Sequence, residues 1–499
     1  MKIVDTAEMR NAETAAIAAG TPGFQLMQRA GKTAAELISA RMRQFGFSRI
    51  VFLCGGGNNG GDALTAAALL AGTFPIKVWL ARPLEELKGE AADAAAALPP
   101  EIRTLATTDF SKVAPHDGDL IVDGLLGIGL RGEVRPQIAD IIVRINAMRL
   151  PVIALDVPSG MDSDTGEGRC PDGGALRAFN TITFGLPKRG LFTSSGIAFS
   201  GALYVADIGL KEFSDGASCC GAFTDADAMD ALPHFANDIY KNRRGELLVL
   251  AGSRRYPGAA ALTATAGLCG GSGLLRAFVP RGVMFRLPLA AIPEEIAATE
   301  RGGFAAAPDW SAYSGASALV AGPGWGDDVP PEVLTAVLDF PGPAVIDADA
   351  LNLLSRHPEL WHSDGRAVLT PHPGEAARLC RAFGIAENSG REEAAAALAK
   401  RLDAVVVLKG ARTVVADWEG GCTLNVSGCP ALATAGSGDV LAGLIGALLA
   451  NGSAPASAAR TAVLIHGRAG ENLGRGAVAD DLPRAAAAVT AKLEKRLIF

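Results

Sequence analysis

The 499 residues hold 46 Lys and Arg against 53 Asp and Glu, a formal net charge of −7, and that balance excludes a broad basic surface for nucleic acid. Hydrophobic residues make up 49% and charged ones 20%, a globular rather than a disordered composition. The length exceeds one ordinary core and fits two or three domains. The eight cysteines, Cys54, Cys170, Cys219, Cys220, Cys269, Cys380, Cys422 and Cys429, form no C-x-x-C pair, so reduced structural thiols and a cytoplasmic location are expected. The opening MKIVDTAEMR lacks a charged-then-apolar leader pattern, and an apolar run such as 440–450 is too short to span a bilayer.

In chain order, residues 49–54 (RIVFLC) read as a buried strand, glycines follow, and 63–71 read as a helix. Further strands are expected at 76–80, 120–123, 152–156, 181–184 and 202–205. Strands alternating with alanine-rich helices make a parallel α/β sheet covered on both faces. Residues 211–221 show no period and read as a linker. The alternation then restarts: a strand at 246–251, a helix at 259–268, strands at 318–321, 344–347, 367–369 and 404–408, and a long helical region after Gly436. No repeat relates the halves. The expected fold class is therefore α/β with two different doubly wound domains, residues 1–213 and 221–499.

Gly55-Gly56-Gly57-Asn58-Asn59-Gly60-Gly61-Asp62 falls between the first strand and the first helix, where open α/β sheets hold their ligand loops. Its glycines let backbone approach a phosphate or sugar. The order is not G-x-G-x-x-G, however, and the asparagines and Asp62 offer oxygens to a cation or partners to ribose and carboxamide groups. A flexible turn with Asp62 capping the next helix explains the same residues. Asp123 and Asp156 stand at the ends of two more apolar strands, before glycine-containing loops. A carboxylate there needs a cation, an ion pair or hydrogen bonds, and three such loops on one rim favour a pocket over three separate turns.

G-N-N-G-G-D, D-x-L-L-G-x-G and D-V-P-S-G-M-D, with Lys188-Arg189-Gly190-Leu191, resemble the N-terminal epimerase domain of the bifunctional NAD(P)H-hydrate repair enzymes. Met9 to Glu13 and Leu26 to Gly31 are similar to that family as well, and the match runs through residues 1–210. The resemblance implies a Rossmann-like domain that interconverts the R and S epimers of hydrated NADH and NADPH. It also implies a potassium ion held by Asn59, Asp123 and Ser159. Asn58, Asn59, Gly60, Gly61, Asp62, Gly127, Ile128, Gly129, Leu130, Arg131, Gly132, Glu133 and Asp156 would meet the hydrated nucleotide. Chemistry at C6 of the reduced ring needs a group that exchanges a proton or hydroxyl, and Asp156 is the candidate.

In the second half, Ala435-Gly436-Ser437-Gly438-Asp439 runs from a glycine loop into an apolar helix. Backbone N–H groups at such a start make an anion hole for a phosphoryl group, and Asp439 beside it can take a proton from an attacking hydroxyl. A glycine turn with an N-capping aspartate is the plain alternative. Lys409, leaving a strand at a Lys-Gly turn, reads either as a phosphate contact or as a surface lysine. His372, held between two prolines, is a rigid candidate at a strand end, whereas His466 has helical neighbours and is expected in the core.

These motifs, with L-T-P-H-P-G-E, A-G-P-G-x-G and V-I-D-A-D-A-L-N, resemble the ADP-dependent NAD(P)H-hydrate dehydratases, a ribokinase-like family, over residues 221–499. The resemblance implies that Lys409, Gly410, Ala411, Arg412, Thr413 and Gly438 bind the AMP part of the nucleotide. Ala259, Gly324, His372 and Asp439 would meet the hydrated cofactor, with Mg2+ and ADP as the phosphoryl source. Phosphorylating the ring hydroxyl turns a poor leaving group into a good one, so NAD(P)H, AMP and phosphate would result. The expected partners are NADHX, NADPHX and ADP, in a homo-oligomer, with no nucleic acid and no membrane. A ribokinase-superfamily small-molecule kinase with an accessory ligand-binding domain would share the G-S-G-D loop, but it does not explain the first-half motifs.

Overall fold

The computed structural model describes every residue except 214–219, 237, 285, 387–389, 475 and 497–499. Two compact units, Met1–Ser218 and Cys219–Phe499, make up the chain. Most of the expected linker lies outside the described residues; around it, Lys211–Phe213 is a short 3-10 turn and Gly221–Phe223 a strand.

The first unit is built on β1 (Arg49–Cys54), β2 (Ile76–Leu80), β3 (Ala106–Thr107), β4 (Asp119–Gly124), β5 (Val152–Leu155), β6 (Asn180–Phe184) and β7 (Ala202–Ala206). All seven are parallel, in the order β3-β2-β1-β4-β5-β6-β7. Ile50 to Cys54 have no exposed surface, as expected of a strand covered on both faces. Strand order reverses between β1 and β4, and the crevice beyond their carboxyl ends is where doubly wound sheets bind ligands. The helix Gly23–Phe45 lies so close to the helix Asn58–Leu70 that a methyl group on Gly31 would stand 2.5 Å from Thr65 Cγ2.

The second unit contains β8 (Gly221–Phe223), β9 (Glu246–Leu250), β10 (Leu274–Pro280), β11 (Ile292–Ile296), β12 (Ala318–Ala321), β13 (Ala344–Ile346), β14 (Ala367–Leu369), β15 (Val405–Leu408), β16 (Val414–Ala416) and β17 (Cys422–Asn425). Their order is β11-β10-β9-β12-β13-β14-β15-β16-β17-β8. From β11 to β15 the sheet is parallel; β16 runs antiparallel to both neighbours, and β8 is parallel to β17. The helix Ser437–Ala450 is buried along almost its whole length. Close packing seats it there: a methyl on Gly443 would meet Thr263 O at 2.3 Å, and one on Gly446 would meet Val320 Cγ2 at 2.4 Å.

The doubly wound α/β class is as expected from sequence, but several elements are not. β3, β8, β10, β11 and β17 escape periodicity, because they are short, carry charge (Arg276 in β10) or form a half-exposed edge (β11). The expectation of reduced thiols throughout is also corrected: Cys220 and Cys422 form a disulfide, with Cα atoms 4.5 Å apart across 202 residues. Their neighbours Gly221 and Thr423 are register partners, so strand pairing brings the two thiols together. Sequence spacing could not disclose that juxtaposition.

Candidate active sites

After Cys54 the chain turns through three glycines directly into the helix Asn58–Leu70, so Asn58 to Asp62 form its first turns rather than the loop expected from sequence. Gly55 N donates to Gly124 O at 2.9 Å. A methyl on Gly60 would lie 2.0 Å from Gly55 O, so backbone packs directly on backbone. A cleft of about 880 Å³ opens here, lined by Glu13, Asn59, Asp62, residues 125–131 and Asp156 among others. Its size suits a small-molecule ligand.

Behind the wall, Asp123 is fully buried. It accepts from Leu125 N at 3.1 Å, Ser159 N at 2.8 Å and Ser159 Oγ at 2.6 Å. Burial pushes its carboxyl up to about 6 against these hydrogen bonds. Leu126 completes the cluster: its N–H donates to Ser159 Oγ at 2.8 Å and its carbonyl accepts from Asn59 Nδ2 at 3.0 Å. The buried Asn59 Oδ1 has no hydrogen-bond partner among the described residues. An orphaned amide oxygen, linked through Leu126 and Ser159 to a buried carboxylate, is what a bound cation with oxygen ligands would satisfy.

Asp156 follows β5 with φ of 63°, a left-handed conformation unfavourable for a residue with a side chain. Lys188, with no exposed surface, donates to the Asp156 carboxylate, to Phe184 O at 2.8 Å and to Thr183 Oγ1 at 3.2 Å. A short main-chain ladder places it: Val4 N donates to Pro187 O at 3.0 Å and Arg189 N to Val4 O at 2.9 Å. Burial, then Asp156 and Glu13, hold the Asp62 carboxyl well above the usual range despite Lys188. Glu13 is raised by burial and by Asp156.

The second unit gathers a different set. The helix Ser437–Ala450 starts after Gly436 (φ 87°) with no side-chain cap, and Asp439 lies in its first turn. Lys409 Nζ donates to Asp347 Oδ1 at 2.8 Å and abuts the helix start, since a methyl on Gly438 would lie 3.4 Å from it. Ser437 N donates to Thr434 O at 3.3 Å, so the N–H groups of Gly438 and Asp439 are the ones that share this space with the ammonium and the carboxyl groups of Asp347 and Asp439. Burial pushes Asp439 up to about 7, with Asp347 and Asp349 adding and Lys409 opposing. Burial pulls the Lys409 ammonium down, but Asp347 and Glu375 outweigh it and the group is raised. Asp349 accepts from Gly326 N at 2.8 Å and is raised by burial. Ser437 Oγ lies 3.1 Å from Nε2 of the buried His466, which burial lowers to about 4 and so keeps neutral.

Two family models cover most of the chain: residues 23–190 match the YjeF-related protein N-terminus, and residues 247–490 match NAD(P)H-hydrate dehydratase. The bifunctional NAD(P)H-hydrate repair enzyme Nnr of Coxiella burnetii is 38% identical over 95% of this chain and 96% of its own length. Its counterpart from Gloeobacter violaceus is also 38% identical, over 94% and 93%. This chain belongs to the bifunctional NAD(P)H-hydrate repair enzymes. A solved ADP/ATP-dependent NAD(P)H-hydrate dehydratase of Bacillus subtilis, co-crystallised with ATP and Mg2+, is 29% identical to it, with a TM-score of 0.47 covering 56% of this chain and all of the other.

Of the residues that family resemblance assigns to the hydrated nucleotide, Asn58, Asn59, Asp62, Gly127, Ile128, Gly129, Leu130, Arg131, Glu133 and Asp156 line the first cleft, whereas Gly60, Gly61 and Gly132 do not. Gly61 instead admits Met27, whose Cε would meet a methyl there at 2.6 Å. Asn59, Asp123 and Ser159 come together as described. In this repair enzyme's second unit, Ala259 and Gly324 touch, a methyl on Gly324 standing 2.6 Å from Ala259 Cβ.

Lys409, Gly438 and Asp439 meet at the helix start, but Arg412 turns inward. Its Nη1 donates to Val426 O at 3.1 Å, and burial lowers its guanidinium to about 10. Thr413 Oγ1 donates to Gly410 O at 2.9 Å, and Ala411 O accepts from Arg391 Nη1 at 2.7 Å. His372 caps the helix Pro373–Ala382, its Nδ1 accepting from Gly374 N at 3.0 Å. Sequence reasoning gave no role to Glu13 or Lys188, and left Asp347 as either a polar group near a pocket or a helix cap. Each stood inside a motif already noted, and only a fold places an ammonium beneath one carboxylate or beside another.

Proposed function

We propose that the two units perform successive halves of one repair: the first equilibrates the R and S forms of hydrated NAD(P)H, and the second dehydrates the S form. The bifunctional epimerase and dehydratase activity is that of the family; the assignment of residues is ours. In the first cleft Asn59, Asp123 and Ser159 would hold potassium, whose charge would fix the carbonyl-rich turn at residues 125–126. Asp156, paired with Lys188, is the group that moves protons at C6.

The observation supporting the second half is the meeting of Asp439, Lys409 and the open helix N-terminus. Asp439 takes the proton of the C6 hydroxyl as that oxygen attacks the terminal phosphorus of ADP, and AMP departs. Lys409 and the N–H groups of Gly438 and Asp439 hold the phosphoryl oxygens. Phosphate then leaves C6, a proton leaves C5, and the conjugated dihydropyridine returns. Mg2+ would bind the nucleotide phosphates, with Asp347 as the nearby carboxylate, and would neutralise phosphate charge. Among the described residues no helix is long and apolar enough to cross a membrane, and the chain is read as a cytoplasmic homo-oligomer.

Incubating the protein with mixed R and S hydrated NADH, Mg2+ and either ADP or ATP, while following absorbance of the reduced ring, tests the assignment. Full conversion is expected with ADP. Asp439→Asn should abolish it, and Asp156→Ala should leave the R form behind. Normal conversion by Asp439→Asn would remove that residue from the chemistry.

A further inference from the structure

We infer that Asp62 is the general acid of the epimerase cleft, protonating ring nitrogen N1 while Asp156 accepts the proton of the C6 hydroxyl. This rests on the reading of the first cleft as the epimerase site and adds a second catalytic group to it. Glu13, Asp62, Glu90, Glu133 and Asp156 line this cleft together with Arg10, Arg82, Arg131 and Arg135; the charged groups that act on Asp62 are Glu13, Asp156 and the fully buried Lys188. The cation is committed: Lys188 donates to Asp156, Thr183 and Phe184. Asp62 is only 9% exposed, lines the cleft, and among the described residues receives no hydrogen bond and no ion pair. Burial without a donor favours the protonated form of that carboxyl. Glu13, Asp156 and Lys188 face it, and Arg10 and Glu90 act on Glu13. Two carboxyls in one cleft thus sit in opposed states, one ion-paired and one neutral, the arrangement that separates an acid from a base.

The chemistry balances without oxidant or added water. The hydrated ring carries its hydroxyl on C6 beside N1, a hemiaminal. The hydroxyl proton passes to Asp156 and C6 becomes an aldehyde carbon. The electron pair of the breaking C6–N1 bond goes to N1, which takes the proton of Asp62 and stays conjugated with the carboxamide through C2 and C3. Rotation about C5–C6 presents the other face. N1 then attacks C6, its proton returns to Asp62, and the oxygen recovers one from Asp156.

The test is chromatographic separation of R and S hydrated NADH, taking initial rates of interconversion by the full chain from pH 6 to 9 after subtracting the buffer-only rate. Because Asp62 acts in its protonated form, any limb it contributes to the wild-type profile descends with rising pH. Asp62→Asn should lower kcat by about 100-fold, with KM little changed and any such limb gone, while Asp62→Glu recovers part of the rate. Retained dehydration of the S form by the second unit, together with an unchanged first melting transition, shows that Asp62→Asn is folded. If Asp62→Asn epimerises normally while Asp156→Asn is inactive, or if only its KM changes, the acid role is overturned and the epimerase reading stands. If both variants epimerise normally, the assignment of this cleft fails instead.

Discussion

A base that must be ionised, yet is held near neutrality by its surroundings, makes the dehydration step strongly pH-dependent. Asp439 lies at about 7 rather than its ordinary 3.8. In the proposed role Asp439 accepts a proton, so activity should rise with pH: a group at about 7 is roughly 9% ionised at pH 6 and roughly 91% at pH 8, about a tenfold change in kcat/KM. A group at its ordinary value would give almost none over that interval. The two partners of the Lys409–Asp347 pair push this limb in opposite directions, since Asp347 raises Asp439 and Lys409 lowers it. Asp347→Asn should therefore move the limb to lower pH and Lys409→Met to higher pH, each by on the order of one unit, about 1.4 kcal/mol. The assay is the recovery of reduced-ring absorbance from S-hydrated NADH at constant ionic strength. Both variants lose rate through weaker phosphate binding or a disturbed pair, so the position of the limb is read, not its height. A profile flat from pH 6 to 8 in the wild type, or limbs moving the same way in both variants, refutes the reasoning.

Other outcomes follow from the same geometry. Replacing sodium by potassium chloride should raise the melting temperature of the first unit in the wild type but not in Asn59→Ala, as followed by calorimetry; an equal rise in both would remove Asn59 from the cation site. Gly60→Ala, whose methyl would meet Gly55 O at 2.0 Å, should destabilise the first unit and abolish epimerisation, whereas Gly57→Ala meets nothing within 4 Å and should melt like the wild type. Arg468, buried and bonded to Asp225 at 2.6 Å and Glu471 at 2.9 Å, should cost about 3 to 5 kcal/mol when changed to Met, because it leaves carboxylates without their cation. Urea unfolding of the second unit would show this, and a loss under 1 kcal/mol would contradict it.

What could be read from sequence was what repeats or terminates locally. Apolar runs such as 49–54 and 405–408 show as strands because both faces are buried, and Asp123 and Asp156 stand out as charges where such runs end. His466, among helical apolar neighbours, was correctly expected inside. What stayed hidden depends on where the chain returns. Nothing in Lys188-Arg189-Gly190-Leu191 itself shows that a ladder to Val4 draws the lysine fully inside. Asn58 to Asp62 look like loop because glycine is a poor helix former, yet Gly60 and Gly61 are needed where the first helical turns press on Gly55 and Met27. His372 draws the eye between its prolines, but its Nδ1 is engaged with helix N–H groups. Arg412 is buried and donates to Val426 O, a contact its sequence neighbours do not reveal.

The place of β8 bears on how the chain is made. Residues 221–223 open the second unit, yet their neighbour in the sheet is β17, at residues 422–425. On the ribosome that short strand must wait for some 200 residues of later chain before its edge exists. The first unit pairs its strands within residues 49–206 and can be complete by then. The nascent protein thus acquires its epimerase half early and closes its dehydratase half late, with Gly221–Phe223 among the last strands to find a partner.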